Sequence, residues 1–253
     1  MKKAFLAFVL VALAFSGCAA IKNTGNGNIA GDENGLNVAG GGIEMEKVEF
    51  KTEDGFTIRG NILRGNEKAV VMLHQLNLNK ASYSSFARKL NDANFTALAI
   101  DLRGHGESLD QNGVKKNWQG FSDNDFRNMV KDVKAAEKFL RQEGFSVYGV
   151  VGASIGANTA ANYAAENQGV GKIILLSPGL DFRGIQPEKN AENIKAKALI
   201  VASGEDSYSF GSGKSLAAKI PDAEFKGLRN SGHGTNMFAG TFLENDLIEW
   251  LQK

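Results

Sequence analysis

Residues 147–156, which read Val-Tyr-Gly-Val-Val-Gly-Ala-Ser-Ile-Gly, decide the fold of this chain. The first five form a short apolar run of the kind found in strands that are buried on both faces of a parallel sheet. The small residues around Ser154 then lead into a helix-like segment, Ile155–Glu166. A strand that turns directly into a helix predicts a layered α/β domain.

Similar apolar runs alternate with helix-like segments along the rest of the chain. Further buried strands are predicted at residues 69–73, 97–100, 172–176, 198–202 and 224–226. The other predicted helices span residues 81–93, 123–142, 213–219 and 238–251. Two alternating runs, residues 47–52 and 56–62, come before them and are joined by a turn that contains Gly55, which predicts a hairpin. We therefore expect an α/β fold, with a doubly wound, mostly parallel sheet and an N-terminal antiparallel hairpin.

The composition suits one globular domain, because 43% of the 253 residues are hydrophobic and 23% are charged. Lys and Arg total 29 against 28 for Asp and Glu, which gives a formal net charge of +1. This balance predicts no nucleic-acid partner and leaves the oligomeric state open. The single cysteine, Cys18, excludes an internal disulfide and a metal site built from several cysteines.

The N-terminal segment has the pattern of a signal peptide over residues 1–17. A basic start is followed by an apolar run of about a dozen residues, fewer than the ~20 that a membrane-spanning helix needs. Residues 15–18, Phe-Ser-Gly-Cys, resemble a bacterial lipobox, in which the cysteine is lipidated and becomes the mature N-terminus. We therefore expect Cys18 to hold the protein at the membrane of the bacterial cell envelope through a lipid. The alternative is cleavage near Ala19 or Ala20 and a soluble, secreted or periplasmic product.

Residues 18–42 are expected to form the lipidated N-terminus and a flexible tether, because they are rich in Asn and Gly and show no hydrophobic periodicity. The folded domain is therefore expected to span residues 43–253.

The candidate nucleophile is Ser154, which stands in a Gly-x-Ser-x-Gly motif between a predicted strand and a predicted helix. Such a nucleophile elbow exposes the serine hydroxyl at the end of a sheet. The amide of Ile155, at the start of the helix, can donate to an oxyanion. The alternative is a glycine-rich helix start with a packing role only.

A serine needs a base, and the chain has three histidines. Only His233 follows Ser154, on a glycine-flanked loop after the last predicted strand. His74 and His105 are expected to shape loops near the site by hydrogen bonding. Asp206 follows the strand at residues 198–202 and is the favoured acid, with its neighbour Glu205 as the competitor.

Several motifs together resemble the α/β-hydrolase family over nearly all of residues 46–253. They are Thr52-x-Asp54-Gly55, Leu73-His74-Gln75, the run Asp101-Leu102-Arg103-Gly104-His105-Gly106-Glu107-Ser108, the Ser154 elbow, Asp206 and His233. The resemblance implies a second oxyanion amide from Leu76, beside Gln75, which replaces the glycine that the family commonly has. A serine at the elbow argues against the dehalogenase and epoxide hydrolase branches, which need a carboxylate nucleophile.

The resemblance implies acyl transfer through an acyl-enzyme, with no metal or organic cofactor and a small-molecule ester or related acyl compound as substrate. The connection over residues 177–197 is too short for a helical cap, so we expect an open site. The candidate substrate-binding residues are Gln75, Trp118, Tyr208 and Met237, and for these aromatic and Met side chains the alternative is loop anchoring or core packing. A peptidase, a thioesterase and a non-catalytic surface-binding lipoprotein are the competing functions.

Overall fold

A computed structural model describes residues 44–253 of the chain. The predicted signal peptide, Cys18 and the tether lie outside the described residues. Within residues 44–253, no helix combines the length and apolarity needed to span a bilayer.

Ten strands occur in the described residues, eight of them in one sheet. They are β1 (Glu46–Lys51), β2 (Thr57–Leu63), β3 (Lys68–Leu73), β4 (Thr96–Ile100), β5 (Asp110–Gln111), β6 (Val114–Lys115), β7 (Ser146–Ala153), β8 (Lys172–Leu176), β9 (Lys197–Ser203) and β10 (Ala223–Leu228). The main sheet has the order β1-β2-β4-β3-β7-β8-β9-β10. Strand β2 is antiparallel to β1 and β4. The other neighbours in this order, from β4 through β3 and β7 to β10, all pair in parallel. The predicted fold class is confirmed.

Helices cover both faces of this sheet. They are α1 (Ser84–Asp92), α2 (Asp123–Arg127), α3 (Val130–Gln142), α4 (Ile155–Glu166), α5 (Ser207–Lys219) and α6 (Leu243–Gln252), with 3-10 turns at Lys80–Tyr83, Trp118–Gly120, Pro187–Asn193 and Gly234–Phe238. Alternate residues of one strand enter opposite cores, as Val71 packs with α3 and α4 while Met72 packs with α1 and α6. Burial on both faces explains why these strands read as continuous apolar runs.

Two predicted helices begin at the wrong residue. Helix α5 begins at Ser207 rather than at residue 213, because Asp206 caps it by accepting a hydrogen bond from the Ser209 amide at 3.4 Å. Helix α6 begins at Leu243 rather than at residue 238, because the preceding residues form a 3-10 turn that ends before Gly240, whose φ is +67°.

The predicted helix over residues 123–142 is also wrong in one respect, because it is interrupted between α2 and α3 at Asn128 and Met129. Asn favours turns over helix interiors, since its side chain competes for backbone hydrogen bonds. The small hairpin β5–β6 was not predicted. Its Asn112-Gly113 turn has φ values of +53° and +83°. Asn-Gly is a strong hairpin signal, so this element was open to prediction.

A buried ion-pair network connects the N-terminal hairpin to α3. The guanidinium of Arg103, only 1% exposed, donates to Asp132 at 2.8 Å and to Asp54 in the β1–β2 turn at 2.8 Å. Burial raises the pKa of Asp132 to about 6, although the positive charge of Arg103 opposes that shift. The network holds the antiparallel edge of the sheet against its helical layer.

Candidate active site

The candidate catalytic residues meet at the carboxyl edge of the parallel strands. Gln75 and Leu76 follow β3, Ser154 follows β7, Asp206 follows β9 and His233 follows β10. They surround one cavity of about 270 Å³, a small volume for a ligand site. Its lining residues are Gln75, Leu76, Asn77, Ser154, Asn158, Ser177, Gly179, Phe182, Asp206, Tyr208, Ser209 and His233.

The backbone of Ser154 has the strained conformation of a sharp turn, with φ +52° and ψ −114°. Two glycines make the turn possible. A Cβ on Gly152 would lie 2.2 Å from the carbonyl oxygen of Gly156, and a Cβ on Gly156 would lie 2.3 Å from that of Leu73. The strand, the turn and the helix therefore pack too closely for any other residue at either position.

Ile155 is the first residue of α4, so its amide has no carbonyl partner within the helix. Leu76 lies on the loop after β3 and lines the same cavity. The helix N-terminus adds positive potential at this point. This arrangement can stabilise negative charge that develops on an oxygen beside Ser154.

His233 is oriented by a carboxylate, because its Nδ1 lies 2.6 Å from Oδ2 of Asp206. Burial raises the pKa of Asp206, but hydrogen bonds from His233 and Ser209 outweigh burial and hold it below the usual range. The carboxylate is therefore ionised at neutral pH and favours a proton on Nδ1. Nε2 is then the ring nitrogen that can accept a proton from a nucleophile.

Glu205 has a different set of contacts from Asp206. It accepts hydrogen bonds from the hydroxyl of Ser203 and, at 2.6 Å, from the amide of Gly232. These bonds lower the pKa of Glu205 to about 2. The structure therefore pairs Asp206 with His233, and Glu205 braces the loop that precedes the histidine.

Gln75 lines the cavity and also reaches the histidine loop. Its Oε1 accepts from the amide of Thr235 at 2.9 Å and from the hydroxyl of Thr235 at 3.2 Å. The amide of Gly234 donates to Ser177 Oγ at 3.0 Å. The two residues that follow His233 are thus held by loops from β3 and β8.

Two of the expected substrate-binding residues lie outside the cavity lining. Trp118 stacks on His105, with 5.5 Å between ring centroids and 5° between planes, so it anchors its own loop. Met237 is fully buried in the core beside α6 and α1. Tyr208 and Gln75 do line the cavity, as expected.

Two important lining residues, Asn158 and Phe182, were not predicted from the sequence. Asn158 lies one helical turn after Ser154, and this spacing could have identified it. Its side chain accepts from the Gly179 amide at 2.9 Å and donates to the Ile185 carbonyl at 3.3 Å. It thereby fixes the loop that carries Phe182.

His74 has the structural contacts expected of it. Its Nδ1 donates to the carbonyl of Gln75 at 2.8 Å, and its Nε2 accepts from the amide of Leu102 at 3.0 Å. Burial, reinforced by the neighbouring His105, lowers its pKa to about 4. His74 is therefore neutral at physiological pH and supports the loop that carries Leu76.

The sequence of this chain is similar to those of known hydrolases. The model of the hydrolase family described as serine aminopeptidase S33 matches residues 65–203, more than half of the chain. The chain belongs to this family. A curated relative, the AB hydrolase superfamily protein YisY of Bacillus subtilis (strain 168), is 31% identical over 130 residues. That match covers 51% of this chain and 44% of YisY, so it spans less than half of the relative.

Solved structures of esterases have the same fold as this family member. The Pf2001 esterase of Pyrococcus furiosus superposes with a TM-score of 0.68 at 20% identity, over 83% of this chain and 92% of that one. An esterase from Exiguobacterium antarcticum gives a TM-score of 0.66 at 15% identity, over 81% of this chain and 99% of the other. The chain is thus an α/β-hydrolase in sequence family and in fold.

Proposed function

We propose that the chain is a serine hydrolase that cleaves short-chain carboxylic esters through Ser154, His233 and Asp206. The observation that carries this proposal is the 2.6 Å contact between His233 and Asp206 in the same cavity as the strained Ser154. A nucleophile, a base and an orienting acid, placed beside free helix-start amides, suit acyl transfer.

In this mechanism Ser154 Oγ attacks the acyl carbon while Nε2 of His233 accepts its proton. The amides of Ile155 and Leu76 bind the oxyanion of the tetrahedral intermediate. Collapse of the intermediate breaks the bond to the alcohol, which takes the proton from His233 as it leaves. Water then attacks the acyl-enzyme with His233 as base and releases the acid.

The family description favours a second candidate, an aminopeptidase. An enzyme that selects a free peptide N-terminus needs an anionic group for the substrate ammonium, since a buried charge must be paired. Asp206 is the one carboxylate among the cavity-lining residues, and it is bonded to His233. The lining therefore favours a neutral ester over a charged peptide N-terminus.

A fluorophosphonate probe tests the serine chemistry on the purified protein. We expect labelling of the wild type and no labelling of Ser154→Ala. Ser146→Ala is the matched control, because Ser146 lies at the opposite end of β7 and should keep its labelling. A folded wild type that does not react would refute the proposal.

Substrate panels then separate the two candidates. We expect p-nitrophenyl esters of two to four acyl carbons to react faster than longer esters, because the cavity is small. Turnover of alanine p-nitroanilide above that of these esters would establish the aminopeptidase instead.

We also propose that the protein is held at the bacterial cell envelope by a lipid on Cys18, a residue outside the described part of the chain. The lipobox-like sequence of residues 15–18 supports this proposal. We expect Cys18→Ser to lose radiolabelled palmitate, whereas Ser154→Ala retains it. A Cys18→Ser protein that still takes up the label, or a wild type that takes up none, would contradict the anchor.

A further inference from the structure

A second cavity, of about 500 Å³, lies next to the candidate catalytic cavity. Asn77 lines both. The walls of the second cavity come from residues 77–85, which follow the Leu76 loop, and residues 235–239, which follow His233. Glu244, near the start of α6, completes the lining. The same two loops that carry catalytic groups thus continue into a larger space.

The walls of this second cavity combine polar and apolar groups and carry only one charged residue. Asn77, Asn79 and Asn236 contribute side-chain amides that can both donate and accept hydrogen bonds. Glu244 is the only charged residue of the lining, and Lys89 Nζ at 2.9 Å and the hydroxyl of Ser85 at 3.0 Å engage its carboxylate. Such walls suit a ligand that is rich in hydroxyl groups and carries no charge.

The two large apolar side chains of the lining are Leu78 and Phe238. Phe238 is held in place by the rings of Tyr83 and Phe86, at centroid distances of 6.1 and 5.6 Å. A rigid aromatic side chain offers carbon surface against which the C–H groups of a sugar ring or a glycerol unit can pack. The cavity therefore combines the two contacts that a polyhydroxylated molecule can make.

The second cavity lies on the side of the site where the leaving group of the reaction is expected. His233 must pass its proton to the departing oxygen, so the leaving group lies on the His233 side of the scissile bond. The second cavity is lined by four residues that follow His233 closely in the chain, namely Thr235, Asn236, Phe238 and Ala239. The smaller space beside Ser154 is then left for the acyl group.

We propose that the second cavity binds an uncharged, polyhydroxylated alcohol as the leaving group, so that the substrate is a short-chain acyl ester of a sugar or of glycerol. This inference rests on the proposed serine hydrolase activity. The bond from Ser154 Oγ to the acyl carbon forms, the ester C–O bond breaks, and the alcohol leaves with the proton of His233. Water then releases the short acid, so no other reactant is needed.

Two acetates that share an acyl group test the leaving-group site. They are 6-O-acetylglucose and n-hexyl acetate, both esters of a primary alcohol with six carbons. We expect the wild type to have a kcat/KM about tenfold higher for the sugar ester, the effect of one or two net hydrogen bonds. We expect Ala239→Trp, which fills the cavity from an exposed position, to bring the ratio of the two values to about one.

Asn236→Ala removes one exposed amide and should lower the same ratio about threefold to fivefold, roughly the effect of one net hydrogen bond. Asn124→Ala is the matched control, since Asn124 is an exposed amide on α2 outside both cavities and its loss should not change the ratio. Circular dichroism spectra and melting temperatures of all variants show whether each is folded.

A preference for n-hexyl acetate, or a ratio that neither Ala239→Trp nor Asn236→Ala lowers, would overturn the leaving-group site. If p-nitrophenyl acetate is still hydrolysed in that case, the proposed serine hydrolase stands without it. Failure of both p-nitrophenyl acetate turnover and fluorophosphonate labelling would overturn the hydrolase activity, and the leaving-group site with it.

Discussion

Gln75→Ala removes the contact between the Leu76 loop and the histidine loop. The oxygen lost accepts two hydrogen bonds from Thr235, at 2.9 and 3.2 Å. A neutral hydrogen bond contributes about 0.5–1.5 kcal/mol, and a buried amide left without a partner costs about 1–3 kcal/mol. Because Thr235 is only 7% exposed, we expect the free energy of unfolding to fall by about 2 kcal/mol.

The same substitution should affect catalysis more than stability. His233 lies two residues before Thr235, so its ring loses part of its support. A displacement of about 1 Å at a catalytic group can cost about 100-fold in rate. We expect kcat for p-nitrophenyl acetate to fall about 10- to 100-fold, with a smaller change in KM.

Urea unfolding and steady-state kinetics measure the two effects on the same preparations. Gln142→Ala is the matched control, because Gln142 is exposed at the end of α3 and should change neither quantity. A Gln75→Ala protein with wild-type stability and wild-type kcat would refute the bridging role of Gln75.

Three other substitutions test the acid, the ion-pair network and the pH dependence. Asp206→Asn should lower kcat by about 10³- to 10⁴-fold, whereas Glu205→Gln should lower it far less, as steady-state kinetics will show. Arg103→Ala removes the ion pair of the fully buried Asp132, which keeps only the backbone amide of residue 103, and should destabilise the fold by about 3–5 kcal/mol, against less than about 1 for the exposed Arg59→Ala, both measured by urea unfolding. His74 stays neutral in the folded protein down to a pKa of about 4, so only the unfolded chain takes up this proton as the pH falls from about 6.5. Stability should therefore drop by up to about 1.4 kcal/mol per pH unit over that interval, and His74→Gln should flatten the drop in thermal melts.

Most strands could be predicted from the sequence because their burial is uniform. Strand β8 lies at the predicted residues, and its five residues are all buried. Four of them are apolar, and the fifth, Lys172, donates to the carbonyls of Trp250 and Leu251. The predicted strand at residues 224–226 was too short, because β10 is an edge strand with exposed positions that break the apolar run. The start of α5 was not predicted, because Gly211 and Gly213 have a low helix propensity. Packing tolerates both glycines inside the helix.

The residues of the candidate site also differed in how well the sequence could predict their positions. Ser154, Asp206 and His233 could be placed at one edge because each follows a parallel strand, and such strands end on the same side of the sheet. Trp118 and Met237 were expected in the cavity on the basis of residue type alone, which does not distinguish a lining residue from an anchor. The contact of Gln75 with Thr235 joins residues 160 positions apart, and no local pattern contains that information.

The strand order of the sheet has a consequence for how the protein is made. Ser154 is synthesised well before His233, which follows β10, the last strand and an edge of the sheet. A chain that is still being synthesised carries the proposed nucleophile without the proposed base. The proposed nucleophile and base therefore meet only when the C-terminal part of the chain has docked, and we expect no hydrolysis before that step.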